Sequence, residues 1–172
     1  MSLHIIIDGY NLIHQSDSLS RLHREGLQSG REGLIEILSD YKRVKGHRIT
    51  VVFDGKDAPS FLQRRDQTKG IAIRFSRGGE SADTVIKRMA AEEREKAIIV
   101  SSDRDVTDYS AARGAAIISS AMFEEKITFA AYMDVKGADV NDENGWVPTK
   151  KKGPGRRRSK RERRNRVKIR KL

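Results

Sequence analysis

The chain contains no cysteine, and this absence removes several chemistries at once. Disulfide bonds, thiolate metal sites and thiol nucleophiles all require that residue. No apolar run approaches the roughly 20 residues that span a bilayer. The N-terminal residues also lack the basic stretch and long apolar stretch of a secretory signal. We therefore expect a cytoplasmic protein that does not associate with membranes.

Acidic residues are nearly missing from the C-terminal segment. Residues 150–172 hold 14 lysines and arginines against the single acid Glu162, a net charge of +13. Because the whole chain carries +11, the other residues sum to −2. So basic a segment favours a polyanionic partner through counterion release, although a solubilising, disordered tail is the alternative. The arginines expected to contact phosphates are Arg156, Arg157, Arg158, Arg161, Arg163 and Arg164.

Short apolar runs that alternate with amphipathic segments predict the fold class. The predicted strands are Leu3–Ile7, Ile49–Phe53, Ile71–Phe75, Ala97–Val100 and Ala115–Ile118. The predicted helices are Arg31–Tyr41, Ser81–Lys96, Asp105–Arg113 and Ser120–Met133. Such alternation requires crossover connections, so we expect an α/β domain with a central, mainly parallel sheet between two helical layers.

The composition also divides the chain. We predict one domain at residues 1–135, followed by a polar linker and a Lys/Arg-rich tail at 136–172. Within the domain, the polar and basic segment Gln63–Gly70 is predicted to be a loop or a short helix. This segment and the residues after it supply further candidate phosphate contacts, which are Arg64, Arg65, Lys69, Arg74 and Arg77.

Acidic residues follow several of the predicted strands, where open parallel sheets bind their ligands. Asp8 and Asp54 each end a strand, and Asp103 with Asp105 follows Ala97–Val100. Asp83, with Glu80 nearby, begins the helix that leads into that strand. Because the carboxyl ends of parallel strands share one edge, we expect these carboxylates to meet in a single crevice.

Each of these residues also has a purely structural explanation. Asp54-Gly55 is a common turn dipeptide, Asp103 can cap a helix, and Asp83 suits a helix N-terminus. Asn11 can cap the segment after the first strand or orient a metal-bound water, and Ser101 suits a turn. Helix capping or a turn explains each of these residues by itself. It does not explain why acids from separate segments are all expected at the same edge of the sheet. The joint pattern therefore favours a site.

Several carboxylates in one crevice repel one another unless a cation neutralises them. Oxygen ligands without cysteine or patterned histidine suit Mg²⁺ or Mn²⁺, and His4, His14, His23 and His47 are scattered along the chain. Such ions complete their shells with water and phosphate oxygens, so phosphodiester hydrolysis is the natural reaction. We expect no small-molecule organic cofactor.

Four segments of the chain together resemble a known family. They are Ile6–Ile13, Val52–Gly55, Glu80–Ile86 and Val100–Val106. In this order and spacing they are similar to the NYN-domain family, in its bacterial YacP-like branch, within the PIN-like nucleases. The resemblance extends from Leu3 to Met133.

This resemblance implies a PIN-like, Rossmann-like fold and a Mg²⁺- or Mn²⁺-dependent endoribonuclease that acts in bacterial mRNA turnover or RNA processing. It implies that Asp8, Asp83, Asp103 and Asp105 are the catalytic, metal-binding acids and that Asn11 is the asparagine beside the first acid. Glu80 and Asp54 also match the branch, and Ser101 is a further candidate.

The sequence leaves three functions to be weighed against one another. The first is an endoribonuclease whose partners are mRNA and, through the tail, ribosomal RNA or the ribosome. The second is a non-catalytic RNA or ribosome adaptor on the same fold. The third is a phosphatase of the haloacid dehalogenase type, which requires an acid two residues after the first aspartate. Tyr10 stands there, so the sequence disfavours this third function.

Overall fold

The computed structural model of the protein describes residues 3–57, 65–135 and 159–172. The strands in these ranges are β1 (His4–Asp8), β2 (Arg48–Phe53), β3 (Arg65–Thr68), β4 (Ile71–Phe75), β5 (Ala97–Val100) and β6 (Ala116–Ile118). The helices in the same ranges are α1 (Gly9–Gln15), α2 (Asp17–Glu25), α3 (Leu27–Lys45), α4 (Ala82–Glu93), α5 (Arg104–Ala112), α6 (Ser120–Val135) and α7 (Lys160–Arg170).

The strands form one sheet in the order β3-β4-β2-β1-β5-β6. Every pairing is parallel except that of β3 with β4. The central strand β1 pairs with both β2 and β5, so that Ile6 stands opposite Thr50 on one side and Ile99 on the other. The predicted α/β fold, a mainly parallel sheet with helices on both faces, is confirmed.

The side chains of the central strands alternate between two apolar cores. Ile5 and Ile7 point to the core that α3 and α6 cover, while Ile6 points to the core that α4 covers. All five residues of β1 are buried, which explains why this strand is an unbroken apolar run in the sequence. Asp8 ends the strand on the Ile6 side by the same alternation. The sheet thus aims Asp8 toward the α4 layer.

The prediction of a loop or short helix at Gln63–Gly70 is wrong. Arg65–Thr68 form β3, which pairs antiparallel with β4. The two residues that join the strands, Lys69 and Gly70, have φ angles of 51° and 78°, as a tight two-residue hairpin turn requires. Lysine is unusual in the first position of such a turn, where asparagine, aspartate or glycine is typical. The hairpin was therefore not recognised from the sequence.

The helix predicted at Arg31–Tyr41 is longer than expected, because α3 begins at Leu27. Gly30, which directly precedes the predicted start, lies inside α3. A Cβ atom at Gly30 would lie 2.9 Å from His23 Cβ, and one at Gly33 would lie 2.6 Å from Leu22 Cδ1. Both glycines therefore allow α2 to pack closely on α3, and neither interrupts the helix. The helices α1 and α2 were not predicted.

The C-terminal helix α7 packs against the rest of the domain. Leu172, directly beyond it, is buried in the core beneath α3 and α6, and Ile169 packs beside that core. The linker at residues 136–158 lies outside the described residues, so the predicted division at residue 135 stays a prediction. Among the described residues, no helix combines the length and apolar content that a bilayer crossing requires.

Candidate active site at the carboxyl edge of the sheet

Asp8 is the most deeply buried carboxylate of the candidate site, with 8% of its surface exposed. It caps α1 by accepting a hydrogen bond from the backbone N–H of Asn11, at 3.3 Å. Its second carboxylate oxygen accepts from the Ser101 hydroxyl at 3.2 Å. Burial raises the pKa of Asp8 to about 6, and the charges of Asp83 and Asp103 add to this rise. The two hydrogen bonds oppose it.

Ser101 connects the ends of two neighbouring strands. While its hydroxyl donates to Asp8, its oxygen accepts from the backbone N–H of Asp103 at 3.1 Å. Asp103 caps α5 by accepting from the backbone N–H groups of Asp105 and Val106. The predicted cap at Asp103 is thus present, and one serine fixes the relative positions of two acids.

Asn11 is a structural bridge across the same edge. Its side-chain oxygen accepts from the Ser102 backbone N–H at 2.9 Å and from the Ser120 hydroxyl at 2.7 Å. These bonds join the start of α1 to the turn after β5 and to the start of α6. Sequence reasoning missed Ser102 and Ser120, because no local pattern indicates this contact.

Asp83 lies in the first turn of α4 and is partly exposed. Burial raises its pKa, and the charge of Asp103 contributes next, with smaller contributions from Asp54 and Asp105. Asp54 accepts from the Ala82 backbone N–H at 3.1 Å, and this bond fixes the start of α4 against the end of β2. The carboxylates of separate elements therefore interact electrostatically at one edge of the sheet.

Lys87 is a cation beside this acidic cluster that sequence reasoning did not consider. Its ammonium group forms an ion pair with Asp105, whose side chain is 78% exposed. This hydrogen bond is the main cause that raises the pKa of Lys87, and the charges of Asp83 and Asp103 also raise it. Lys87 stands four residues after Asp83, one helical turn away, and that spacing was the available signal.

Glu80 contacts a different set of groups. Its carboxylate pairs with Arg88 at 2.7 Å and accepts from the Arg77 backbone N–H at 3.3 Å. The hydrogen bond from Arg88 is the main cause that lowers its pKa. Glu80 therefore closes the turn before α4, which supports a structural role.

Tyr10, two residues after Asp8, packs into an aromatic cluster. Its ring meets Phe53 edge-on at a centroid distance of 5.1 Å. Its hydroxyl accepts from the Nε of Arg31 at 3.0 Å. Tyr10 thus serves the packing of α1 and α3, and no acid occupies the position that a haloacid dehalogenase phosphatase needs.

The predicted phosphate contacts fall into separate groups. Lys69 forms an ion pair with Glu36, Arg74 is half-buried within β4, and Arg77 is exposed in the turn before α4. Three further arginines lie on α7, which are Arg161, Arg163 and Arg164. The remaining predictions lie outside the described residues, namely Arg64, Arg156, Arg157, Arg158 and the side chain of Arg65.

The donor chemistry of the site fits a hard divalent cation. Within residues 3–57, 65–135 and 159–172, no three His, Cys, Asp or Glu side chains converge closely enough to hold a metal ion together. Mg²⁺, however, is commonly held by one or two carboxylates and several waters. A buried carboxylate whose pKa is raised by two neighbouring acids is the environment that such a cation stabilises. Asp8, Asp83 and Asp103 are the candidates for this role, in which one or two of them would bind the cation directly and the rest through its waters.

The fold is PIN-like: a mainly parallel sheet between two helical layers, with acids at its carboxyl edge. A family model described as the YacP-like NYN domain matches residues 5–168. The chain therefore belongs to the YacP-like NYN-domain family, and the resemblance found in the sequence is confirmed.

Known relatives agree with this assignment. The YacP protein of Bacillus subtilis (strain 168) is 28% identical over 86 residues, which is 50% of each chain. The chain thus spans about half the length of this curated relative. The crystal structure of Rae1 (YacP) from Bacillus subtilis is similar to it with a TM-score of 0.67 at 22% identity, covering 79% of each chain. A variant of that protein gives a TM-score of 0.62 at 22% identity and covers 77% of this chain and 78% of its own.

Proposed function

We propose that this protein is a Mg²⁺- or Mn²⁺-dependent endoribonuclease whose active site is the acidic carboxyl edge of the sheet. The observation that carries the proposal is the electrostatic coupling of Asp8, Asp83 and Asp103, which belong to three different elements. A structural cap at each position would not require the charges of Asp83 and Asp103 to add to the raised pKa of the buried Asp8. Family membership supports RNA as the substrate.

Asp8, Asp83 and Asp103 would hold the metal, and Asp105 would be a further ligand or would position water. A bound divalent ion supplies an activated water and neutralises charge on the phosphate oxygens. The chain's own residues organise the site around it. Ser101 orients Asp8 relative to Asp103, while Asn11 holds the turn after β5 against α1. Lys87 balances part of the negative charge through its ion pair with Asp105.

The proposal extends to bacterial mRNA turnover or RNA processing in the cytoplasm, and to association with the ribosome or ribosomal RNA through the basic C-terminal segment. The high positive charge of residues 150–172 supports this second part. Cosedimentation with ribosomes should weaken when these residues are deleted. Cosedimentation that deletion leaves unchanged would contradict the tail as the means of attachment.

The nuclease is tested on single-stranded RNA with Mn²⁺ or Mg²⁺ and with chelator. Asp8→Asn and Asp103→Asn keep the shape of each side chain, and asparagine still caps a helix. Each should reduce the cleavage rate at least about 100-fold, which corresponds to roughly 3 kcal/mol of lost stabilisation. Asp108→Asn, an exposed position on α5, is the matched control and should cleave normally.

A non-catalytic RNA adaptor is the competing function. The exposed cations of α7 favour RNA binding whether or not the edge is catalytic. The adaptor predicts salt-sensitive RNA affinity without metal-dependent turnover. Cleavage that persists in chelator, or full activity in both variants, would remove the nuclease proposal.

A further inference from the structure

The basic helix α7 lies at the edge of the sheet opposite the candidate active site. Its Arg161 donates to the Ala111 carbonyl in the last turn of α5, and its Arg164 lies 3.7 Å from Glu95, just before β5. Beyond its end, the Lys171 carbonyl pairs with the His47 ring, just before β2. These partners all precede strands, so α7 crosses the amino edge, whereas the acids lie at the carboxyl edge.

The helix is held in this position by apolar and polar contacts. Leu172 is 3% exposed, and its carbonyl accepts from the buried Tyr41 hydroxyl at 2.9 Å. At the other end, Ser159 and Glu162 form a reciprocal capping box, which satisfies backbone N–H groups at the helix start. The helix is therefore preformed on the domain before any RNA binds.

The outer surface of α7 is almost purely cationic. Its one acid, Glu162, is engaged in the capping box. Five exposed cations have side chains that take no part in the contacts named above. They are Lys160, Arg163, Arg166, Arg170 and Lys171. Four of them lie on a helix of 11 residues, about 16 Å long at 1.5 Å per residue, and Lys171 directly follows it.

Aromatic side chains are absent from residues 159–172. Proteins that grip single strands use aromatic rings on which bases stack. Double-helical RNA is recognised instead through its backbone and shape, which cations on a rigid element can contact. The charge, the rigidity and the missing rings of α7 together favour the duplex.

We propose that α7 is a preformed docking surface for double-helical RNA, separate from the candidate active site and on the opposite edge of the sheet. The choice of RNA as the polyanion rests on the proposed function, while the surface itself rests on the charge and packing of α7. In this arrangement, a structured RNA binds the amino edge while a single-stranded segment reaches the acids.

The test is binding of a 5′-labelled RNA duplex of about 20 base pairs, measured by fluorescence anisotropy in chelator over a salt series. The double variant Arg163→Gln/Arg166→Gln removes two cations that make no structural contact described above. Its duplex affinity should fall about tenfold near 0.1 M salt. The slope of log K against log salt should become shallower by about two, since each lost phosphate contact contributes roughly 0.9.

Arg21→Gln/Arg24→Gln is the matched control, because it removes two exposed arginines from α2. This control should keep nearly full duplex affinity, and both double variants should unfold at the wild-type urea midpoint. Unchanged affinity in the α7 variant, or an equal loss in the control, would overturn the docking surface. Tighter binding of single-stranded RNA of equal length, or of phosphatidylserine vesicles, would overturn the duplex as its occupant.

The duplex-binding measurement is made without metal, so its outcome is independent of catalysis. Normal duplex docking in a protein that does not cut RNA with Mn²⁺ would support the surface and reject the proposed nuclease. The opposite outcome is also informative. If RNA cutting depends on metal and is abolished by Asp8→Asn, but the α7 variant binds duplex like the wild type, only the docking surface is rejected.

Discussion

At the carboxyl edge of the sheet, burial raises the pKa of Asp8 and of Asp83, and the charge of Asp103 adds to both rises. At the amino edge, α7 presents a row of exposed lysines and arginines. The five residues of β1 separate these edges by roughly 16 Å at about 3.3 Å per residue. This distance exceeds the Debye length of about 8 Å at physiological salt. The basic helix therefore cannot neutralise the acids.

The two charged regions have different physical requirements. Asp8 is buried and Asp83 is partly buried, so these two acids need a cation close at hand, whereas Lys87 pairs with the exposed Asp105. The outward-facing cations of α7, such as Arg163 and Arg166, are exposed to solvent and need no partner for stability. A variant at the carboxyl edge should thus alter both stability and chemistry, whereas a variant on α7 should alter affinity for polyanions.

The largest expected effect belongs to Asp83→Asn. Asp83 interacts electrostatically with Asp103, Asp54 and Asp105, so neutralising it weakens cation binding for the whole cluster. We expect RNA cleavage to fall at least about 100-fold with Mg²⁺ or Mn²⁺. The measurement is the rate of cutting of a labelled RNA, with circular dichroism as the check on folding. A folded Asp83→Asn protein that cuts at the wild-type rate would contradict its role.

Asp8→Asn should stabilise the protein in chelator near pH 7.5. Because the pKa of Asp8 is raised from 3.8 to about 6 in the fold, its charged form costs stability above pH 6. That cost, at most about 3 kcal/mol, disappears as pH falls toward 4. Urea unfolding at both pH values should give a gain of about 1 to 3 kcal/mol at pH 7.5 and little difference at pH 4. A gain that is independent of pH would refute this account.

Leu172→Ala should weaken the attachment of α7. The leucine is nearly fully buried, and truncating such a side chain costs about 2 kcal/mol or more. The free energy of unfolding in urea should fall by that amount. Val167→Ala is the control on the same helix, since Val167 is 52% exposed and should change stability by less than about 0.5 kcal/mol. Equal effects would mean that Leu172 does not anchor the helix.

The smallest effect is expected for Ser101→Ala. The substitution removes the donor to Asp8 and the acceptor for the Asp103 N–H, at a cost of about 1 kcal/mol. Because the Ser101 hydrogen bond lowers the pKa of Asp8, its loss should raise that pKa further. NMR titration of the carboxyl carbon measures this change. Ser102→Ala, which removes the acceptor for the Ser120 N–H instead, should leave the Asp8 titration unchanged.

Much of the sheet could be predicted because its central strands are buried on both faces. Such strands must be continuous apolar runs, so Ile49–Phe53 and Ala97–Val100 were recognisable without their neighbours. The edge strand Arg65–Thr68 has no such requirement. Its polar sequence fits a strand only because a hairpin turn brings it beside β4.

The acids of the site were predictable for a similar reason. An aspartate directly after a buried parallel strand must lie at the carboxyl edge, so Asp8 and Asp103 had to be neighbours once β1 and β5 were adjacent. Their roles in metal binding and catalysis stay predictions. The serine and asparagine bridges through Ser120 and Asn11 were not predictable, since they join residues 109 positions apart.

The sequence by itself determined which segments are the buried strands, which acids follow them and where positive charge is concentrated, because these depend on local composition and period. Only the tertiary structure decided that α7 lies on the edge opposite the acids and that Gly30 and Gly33 pack one helix onto another. It also decided that Lys87 pairs with Asp105. Those outcomes depend on contacts between elements that are distant in sequence, and no local pattern encodes such contacts.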